Sequence, residues 1–497
     1  MLEISETDIQ ERMRLDNPWW DERKIASDFG EMRRRAYFPA FAALVQETEV
    51  RRAVVLMGPR RVGKTVMIFH LVQQLLDRGV DPSDILYLSL DTPLYNRMPL
   101  EKLLTIFLKN FANKGDATKY VIYDEIQYLK DWEVHLKSLV DSYRQIRFVA
   151  SGSAAAALRM KSEESGAGRF TDFMLPPLSF SEYLDFRKLT SKLVDEVAKE
   201  DEQTGRLTYE YYAPDIEALN EAFTDYLTFG GYPELAISDR VRQNFQRYVR
   251  SDIIDSVLLR DLPSLYGIGD IQELNSLFTT LAYNTAQEVT LEALSKSANV
   301  AKNTLKRYLD YLEAAFLIKR VERIDRNARR FQRATSFKIY LTNPSIRAAM
   351  FGPVTAGDEE MGALAETAVF AQWFHDHKDF NLRYARWDDG EVDIVYLDPF
   401  SQKPDWLVEV KWSDAFFDRP SRLKSLIAFL GEHEESLEDL PTVTTKTMRG
   451  VRKTAGHEIE FIPAAIYCYM VGRNVIRGLT EAIRKGAEPE FDLGDKR

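Results

Sequence analysis

One cysteine, Cys468, stands among 497 residues, so no disulfide can form within the chain and a reducing cytoplasm is the expected setting. Histidine is scarce as well: six residues show no metal-ligand spacing with that cysteine, which excludes a Cys/His structural zinc site and leaves His70 and His135 as ordinary helix residues. Long apolar runs are missing. Nothing approaches the roughly 20 residues of a membrane span, and the opening MLEISETDIQERMR is charged where a signal peptide would be apolar. A soluble chain with no membrane partner is therefore expected. Positive charge is also short, and the net −11 excludes a protein whose whole surface wraps nucleic acid. What is present is 45% apolar residues, enough for real cores, in a length that at about 150 residues per domain suggests three.

Residues 54–65 read VVLMGPRRVGKT, an apolar run breaking into Gly58, four residues, then Gly63, Lys64 and Thr65. A strand that ends in such a turn turns backbone N–H groups toward phosphate oxygens, and the amphipathic stretch from Val66 to Leu76 points its positive helix terminus at the same place. Lys64 then reaches the β- and γ-phosphates, Thr65 ligates Mg²⁺, and Arg60 and Arg61 lie in the loop that holds the nucleotide. ATP and Mg²⁺ are the cofactors this implies.

Downstream, residues 120–127 read YVIYDEIQ, a buried strand ending in two carboxylates. Side chains on a strand alternate faces, so Asp124 and Glu125 take different work: Asp124 holds Mg²⁺ through its water shell, and Glu125 orients or deprotonates the attacking water. A third strand, 147–150, ends in Ser151-Gly152-Ser153. Ser151 and Ser153 sit where a polar γ-phosphate sensor belongs, although serines commonly follow strands. Arg169, after Gly168, is a candidate sensor or trans-acting arginine toward the nucleotide. The charged run 189–208 reads as a solvated helix or insertion. In FGGYPE (229–234), Gly230 and Gly231 are expected to supply positive φ, and Pro233 either packs on the adenine or sits in a plain turn.

Residues 290–321 contain a short apolar helix, a turn near Ala298-Asn299, and a helix from Lys302 with Leu305, Tyr308, Leu309 and Leu312 at helical spacing. This looks like a winged helix-turn-helix, with strand 316–324 and the basic segment 326–333 as its wing. Its second helix offers Lys302, Asn303, Lys306 and Arg307 to a DNA groove. From 306 to 338, ten Lys and Arg (306, 307, 319, 320, 323, 326, 329, 330, 333, 338) face four Asp and Glu (310, 313, 322, 325), a stripe of +6 able to track phosphates. DNA contact through residues 302–338 is one reading; a packing module between domains is the other.

The last third carries a second chemistry. Asp393 lies on a strand 391–396, and Glu409 and Lys411, two apart in WLVEVKW (406–412), share a face of the next. A hairpin between the strands brings the three together. Two carboxylates bind Mg²⁺ or Mn²⁺, and the lysine lowers the pKa of a metal-bound water or stabilises a developing phosphorane. Glu366, in ALAETAVFAQWF, is expected to add a carboxylate from a preceding helix, with Glu391 in support. This is the D-x(n)-E-x-K layout of restriction-endonuclease-like nucleases, which also exist as folded, inactive versions; E-x-K on a strand also occurs as a surface ion pair.

Together these motifs resemble a family of prokaryotic, archaeal-type AAA+ ATPases with a C-terminal nuclease-like domain of unknown function. The resemblance rests on Asn17-Pro18-Trp19-Trp20, GPRRVGKT, YLSLD (87–91), YDEIQ with Trp132, SGS, GR, PLSFSEY, GGYPE, GEVD and EVK in that order. It implies ATP binding and slow hydrolysis, with Trp19 and Trp20 packed near the ATPase core. The expected architecture is α/β and multidomain: an N-terminal helical extension (1–40), a P-loop AAA+ parallel-sheet ATPase core (41–185), a helical subdomain (186–275), a winged helix-turn-helix (276–345) and a restriction-endonuclease-like α/β domain (355–497). Two functions compete, an ATP-gated DNA-processing nuclease whose last two domains shift relative to each other, and a regulatory NTPase switch without cleavage. No aromatic pore-loop motif stands out to favour a ring remodeller, and homo-oligomers remain open.

Overall fold

The computed structural model describes residues 5–47, 49–152, 168–200, 207–330, 336–374 and 382–485. They divide into two compact units, one running to Pro176 and taking in the stretch from Leu479, the other running from Pro177 to Gly478. No described helix is long and apolar enough to cross a membrane.

The first unit is built on five parallel strands, β1 (Ala53–Met57), β2 (Ile85–Ser89), β3 (Lys119–Asp124), β4 (Ile146–Gly152) and β5 (Phe170–Met174), in the order β2-β3-β4-β1-β5. Every residue of β1 and β3 is buried, as expected of strands covered on both faces. The strand after β1 in sequence lies at the far edge of the sheet, so the chain reverses direction beside β1 and opens a crevice at the strands' carboxyl ends.

That edge strand, β2, is closed by the N-terminal segment. Helix α1 (Glu6–Asp16) starts on a capping box in which Ser5 and Asp8 satisfy each other's backbone N–H. It leads into Asn17, whose side chain donates to Tyr87 O (2.9 Å) and accepts from Tyr87 N (2.7 Å), acting as one residue of a missing neighbour strand. Trp19 and Trp20 both donate their indole N–H to Ile85 O, at 3.2 and 2.9 Å. An exposed edge is a liability, and NPWW removes it. The described residues 5–40 thus pack as part of the first unit.

The second unit holds a sheet of nine strands in the order β15-β16-β14-β13-β12-β11-β9-β10-β8. Its members are β8 (Glu288–Thr290), β9 (Ile318–Ile324), β10 (Ser336–Leu341), β11 (Leu382–Trp387), β12 (Gly390–Leu397), β13 (Pro404–Glu409), β14 (Thr442–Thr445), β15 (Gly450–Thr454) and β16 (His457–Pro463). Charged run 189–208 proves not to be a long helix: it enters a separate antiparallel hairpin, β6 (Asp195–Glu200) with β7 (Leu207–Tyr212). Tyr211, buried on β7, donates to Asn474 Oδ1 at 2.6 Å, and such a docking residue on one strand face favours a ladder over a solvated helix.

Between residues 271 and 341 come helix α2 (Ile271–Tyr283), β8, helix α3 (Leu291–Ala298), helix α4 (Lys302–Ala314), and then β9 and β10. Asn299 takes φ 54° at the turn between α3 and α4. Lys302, Asn303, Lys306 and Arg307 are exposed together on α4. Residues 331–335 of the basic segment lie outside the described residues.

Two expectations change here. β9 pairs in parallel with β11 (Arg323 beside Tyr384, Ile324 beside Ala385), so the helix-turn-helix elements and the C-terminal strands share one sheet. They cannot shift as separate bodies without breaking that ladder. Gly230 and Gly231 do not supply positive φ either. A Cβ on Gly231 would lie 2.6 Å from the Asn343 side chain, so the position is held to glycine by close approach.

Candidate functional site

In the first unit, the phosphate loop leaves β1 at Gly58, where a Cβ would stand 2.2 Å from Leu175 O, and enters helix α5 (Lys64–Asp77 in the chain, preceding α2–α4) through Gly63 at φ 94°. Arg35, buried and far upstream, donates to Val62 O (2.6 Å) and Pro176 O (2.9 Å), tying the back of the loop to the chain beyond β5. Lys64 is buried and its ammonium donates to Gly58 O (2.9 Å) and Pro59 O (2.8 Å). Two neutral carbonyls hold this ammonium in place, and its charge favours the ionised form of Glu125 nearby.

The oxygen groups expected at Mg²⁺ meet from the helix after the loop and from the ends of strands. Thr65 Oγ1 donates to Asp124 Oδ2 at 2.9 Å, and Tyr87 OH donates to the same oxygen at 2.9 Å. Ser151, at the end of β4 between β1 and β3, donates to Asp124 Oδ1 and accepts from Glu125 N at 3.3 Å. A hydroxyl and a carboxylate side by side fit the hard-oxygen demand of Mg²⁺. Glu125 takes φ 54°, a left-handed conformation uncommon for Glu and typical of residues held in place for function. Burial pushes its carboxyl above the usual value, with Asp124 adding to the rise and Lys64 opposing it; Gln127 donates to its carboxylate. A carboxyl raised in this way is suited to accept a proton from water.

Of the nucleotide residues expected from sequence, Gly58, Gly63, Lys64, Thr65, Asp124, Glu125 and Ser151 converge. Arg60 lies close enough to Glu125 to favour its charged form, and Arg61 is exposed at φ 64°. Arg169 does not join them. The parallel register sets Ala53 beside Phe170 and Met57 beside Met174, so Arg169 sits at the opposite end of β1 from the loop and pairs with Asp141. Ser153 lies outside the described residues. Arg35 carried no motif, and Tyr87, although it opens YLSLD, was given no role; only their buried contacts reveal them.

A second charged site lies within the nine-stranded sheet. β12 and β13 pair antiparallel with Ile394 beside Val408, which puts Asp393 next to Glu409. Lys411 Nζ lies 2.7 Å from Glu409 and 3.3 Å from Asp393. Asp393 Oδ2 also accepts from Val410 N at 2.9 Å, and Thr444 Oγ1 accepts from Lys411 N at 2.8 Å, fixing the chain just past β13. The three residues read from the sequence thus stand together.

Glu366 departs from expectation. It lies on helix α6 (Met361–Ala371), but its Oε1 accepts from Lys338 Nζ (2.8 Å) and Tyr340 OH (2.6 Å), both on β10. Lys338 also lies 2.6 Å from Glu391 and 3.5 Å from Asp393, with its side chain only 3% exposed. It is therefore no part of a solvent-facing basic stripe: strand alternation and the shared sheet turn it inward. Lys319, Arg320 and Arg326 of that stripe are likewise engaged, with Glu313, with Asp310 and Glu313, and with Glu432. Among the described residues, no group of three or more His, Cys, Asp or Glu is arranged to hold a metal ion.

Electrostatics follow the partition. Burial pushes Glu409 up to about 7, reinforced by Asp393 and opposed by Lys411. Glu366 is pushed to about 7 by burial, with Lys338 opposing. Burial works against the charge on Asp393, yet Lys411, Lys338 and the Val410 N–H together hold its carboxyl below the usual range. For Lys338, burial is outweighed by Glu366, Tyr340, Asp393 and Glu391, and the ammonium is held well above its ordinary value.

Comparison with known proteins bears on the first site. Residues 50–184 match the family described as AAA domain, and residues 220–356 match a domain of unknown function, DUF8612. An uncharacterized protein of Haemophilus influenzae is 23% identical over 71% of this chain and 81% of its own. Two uncharacterized proteins of Methanocaldococcus jannaschii are each 24% identical, one over 53% of this chain and 55% of its own, the other over 72% and 75%. Among solved structures, replication initiator DnaA bound to AMPPCP and single-stranded DNA aligns at TM-score 0.26 with 13% identity, over 57% of this chain and 89% of that one. C. elegans PCH-2 aligns at 0.20 with 15% identity, over 38% and 50%. Scores this low assign neither partner nor residue role. Residues 50–184 thus match an AAA domain, and that match together with the phosphate loop on the five-stranded parallel sheet supports ATP binding and hydrolysis by this part of the chain.

Proposed function

We propose that this ATPase processes DNA, with α4 as its groove-facing helix in a winged helix-turn-helix and Asp393, Glu409 and Lys411 as a metal-dependent phosphodiester-cleaving site in a restriction-endonuclease-like domain. In the ATP site Lys64 neutralises the β- and γ-phosphates, Thr65 and Asp124 hold Mg²⁺, Glu125 orients the attacking water and Ser151 senses the γ-phosphate. In the second site Asp393 and Glu409 would hold Mg²⁺ or Mn²⁺, which supplies a Lewis acid and an activated water, while Lys411 steadies negative charge on the phosphate.

The observation that carries this reading is the meeting of Asp393, Glu409 and Lys411 on adjacent strands, with both carboxylates buried. Burying charge is costly unless it is compensated and used. The test is cleavage of labelled linear, supercoiled and branched DNA with Mg²⁺ or Mn²⁺, with and without ATP, in the parent and in Asp393→Ala. Nicking by the parent that is lost in the variant supports the nuclease; ATP dependence of that nicking would couple the sites.

A second reading, a regulatory switch that binds partners without cleaving, is favoured by the net charge of −11 and by the internal ion pairs that occupy much of the basic stripe. ATP turnover with no cleavage of any substrate would select it.

A further inference from the structure

The two lysines of the carboxylate cluster are held very differently. Lys411 follows the end of β13, its side chain 26% exposed, and reaches back to Asp393 and Glu409. A flexible ammonium at a partly open position can swing aside when another cation arrives. Lys338 has no such route. It lies in the middle of β10, paired to Val321 on one side and Glu288 on the other, and its ammonium is enclosed by Glu366, Glu391, Asp393 and the ring of Tyr384 at 5.5 Å.

Charge balance divides along the same line. Glu366 and Glu391 both lie against Lys338, and Glu391 also pairs with Arg386 at 2.5 Å. Asp393 and Glu409 lie against the partly open Lys411, with Lys338 at 3.5 Å from Asp393. An ion arriving at Asp393 and Glu409 would take the place of Lys411, whereas the place among Glu366, Glu391 and Asp393 is already filled by Lys338.

We propose that Lys338 is a permanent second cation of this site and limits it to a single divalent metal ion, bound by Asp393 and Glu409. Glu366 is then a positioning residue that anchors Lys338, not a metal ligand. The inference rests on the metal-binding part of the proposed function. It also gives the hairpin β9–β10 a part in the site: a strand that precedes the carboxylate strands by more than fifty residues sets how many ions they hold.

The test is the number of Mn²⁺ ions bound per chain, read by electron paramagnetic resonance of free Mn²⁺ on nucleotide-free, full-length protein. An Asp124→Asn background removes the phosphate-loop metal position. One ion is expected with Lys338 present, one with Lys338→Arg, which keeps the charge, two with Lys338→Met, and none with Asp393→Asn. Two ions with Lys338 present, or a single ion after Lys338→Met in a variant whose circular dichroism matches the parent, would overturn the role of Lys338. The first of these stands even if Lys338→Met does not fold. No ion bound with Lys338 present would instead sink the metal reading of the proposed function, so the two failures are distinguishable.

Discussion

Lys64 and Lys338 are both buried lysines, yet the first rests on the carbonyls of Gly58 and Pro59 and the second on the carboxylates of Glu366, Glu391 and Asp393. Carbonyl dipoles satisfy an ammonium without neutralising it, so the loop keeps net attraction for an anion. Carboxylates neutralise it, and what remains in that cluster attracts a cation. The phosphate loop is thus prepared for a ligand that comes and goes, whereas the second cluster has an ion pair built into its frame. The same residue type serves function in one place and structure in the other, and the partners decide which.

The strongest way to break this contrast is to remove each lysine and measure stability. Lys338→Met should cost about 3–5 kcal/mol in denaturant unfolding, because it strands buried carboxylates. Lys64→Ala, which removes an ammonium bonded to two carbonyls, should cost under about 1.5 kcal/mol. Equal costs would erase the distinction. The same Lys64→Ala protein should lose ATP turnover by about 10²-fold or more, while Glu409→Ala leaves turnover near the parent's. Persisting turnover in Lys64→Ala would remove the loop from the chemistry.

A pH scan sharpens the contrast further. Burial raises Glu409 from 4.5 to about 7, facing Asp393 and Lys411, and Glu366 to about 7, facing Lys338, Tyr340 and Asp393. Between those values the folded state keeps protons that the unfolded chain releases, so stability is full below about 4.5 and is lost as pH rises through 7. Asp393, held low, acts oppositely, but only on acidification below its usual 3.8. The unfolding midpoint of metal-free protein should therefore fall from pH 5 to pH 8, and Glu409→Gln should flatten the slope. A midpoint that climbs over that interval contradicts the assignment. At the sheet edge, Asn17→Ala should cost about 1–3 kcal/mol by orphaning the N–H and C=O of Tyr87; an unchanged midpoint would show that water replaces the side chain freely.

How legible each site was follows from how local it is. Gly58, Gly63, Lys64 and Thr65 lie in one strand-loop-helix, and Asp124 and Glu125 end one strand, so spacing alone located them. Asp393, Glu409 and Lys411 were within reach because a single hairpin joins their strands. Lys338 was misread as part of a surface stripe because nothing in its neighbourhood announces that β9 will pair with β11. Glu366 was placed on the right helix but given the wrong partner for the same reason. Arg169 as a sensor of its own site was suggested by its adjacency to a glycine, and only the register of β1 with β5 shows that it lies at the other end of the strand from the loop, which leaves the trans-acting role as the remaining expectation.

By itself, then, the sequence determined the nucleotide loop, the acidic strand end and the carboxylate hairpin, because each is a short-range pattern whose backbone dictates where its side chains point. Tertiary structure decided the rest. Asn17, Arg35 and Tyr87 act through contacts with residues remote in sequence, and Lys338 meets its carboxylates only because two sets of strands join edge to edge. Such pairings depend on which distant strands minimise exposed backbone and uncompensated charge together, a choice made by the whole fold and not by any stretch of it.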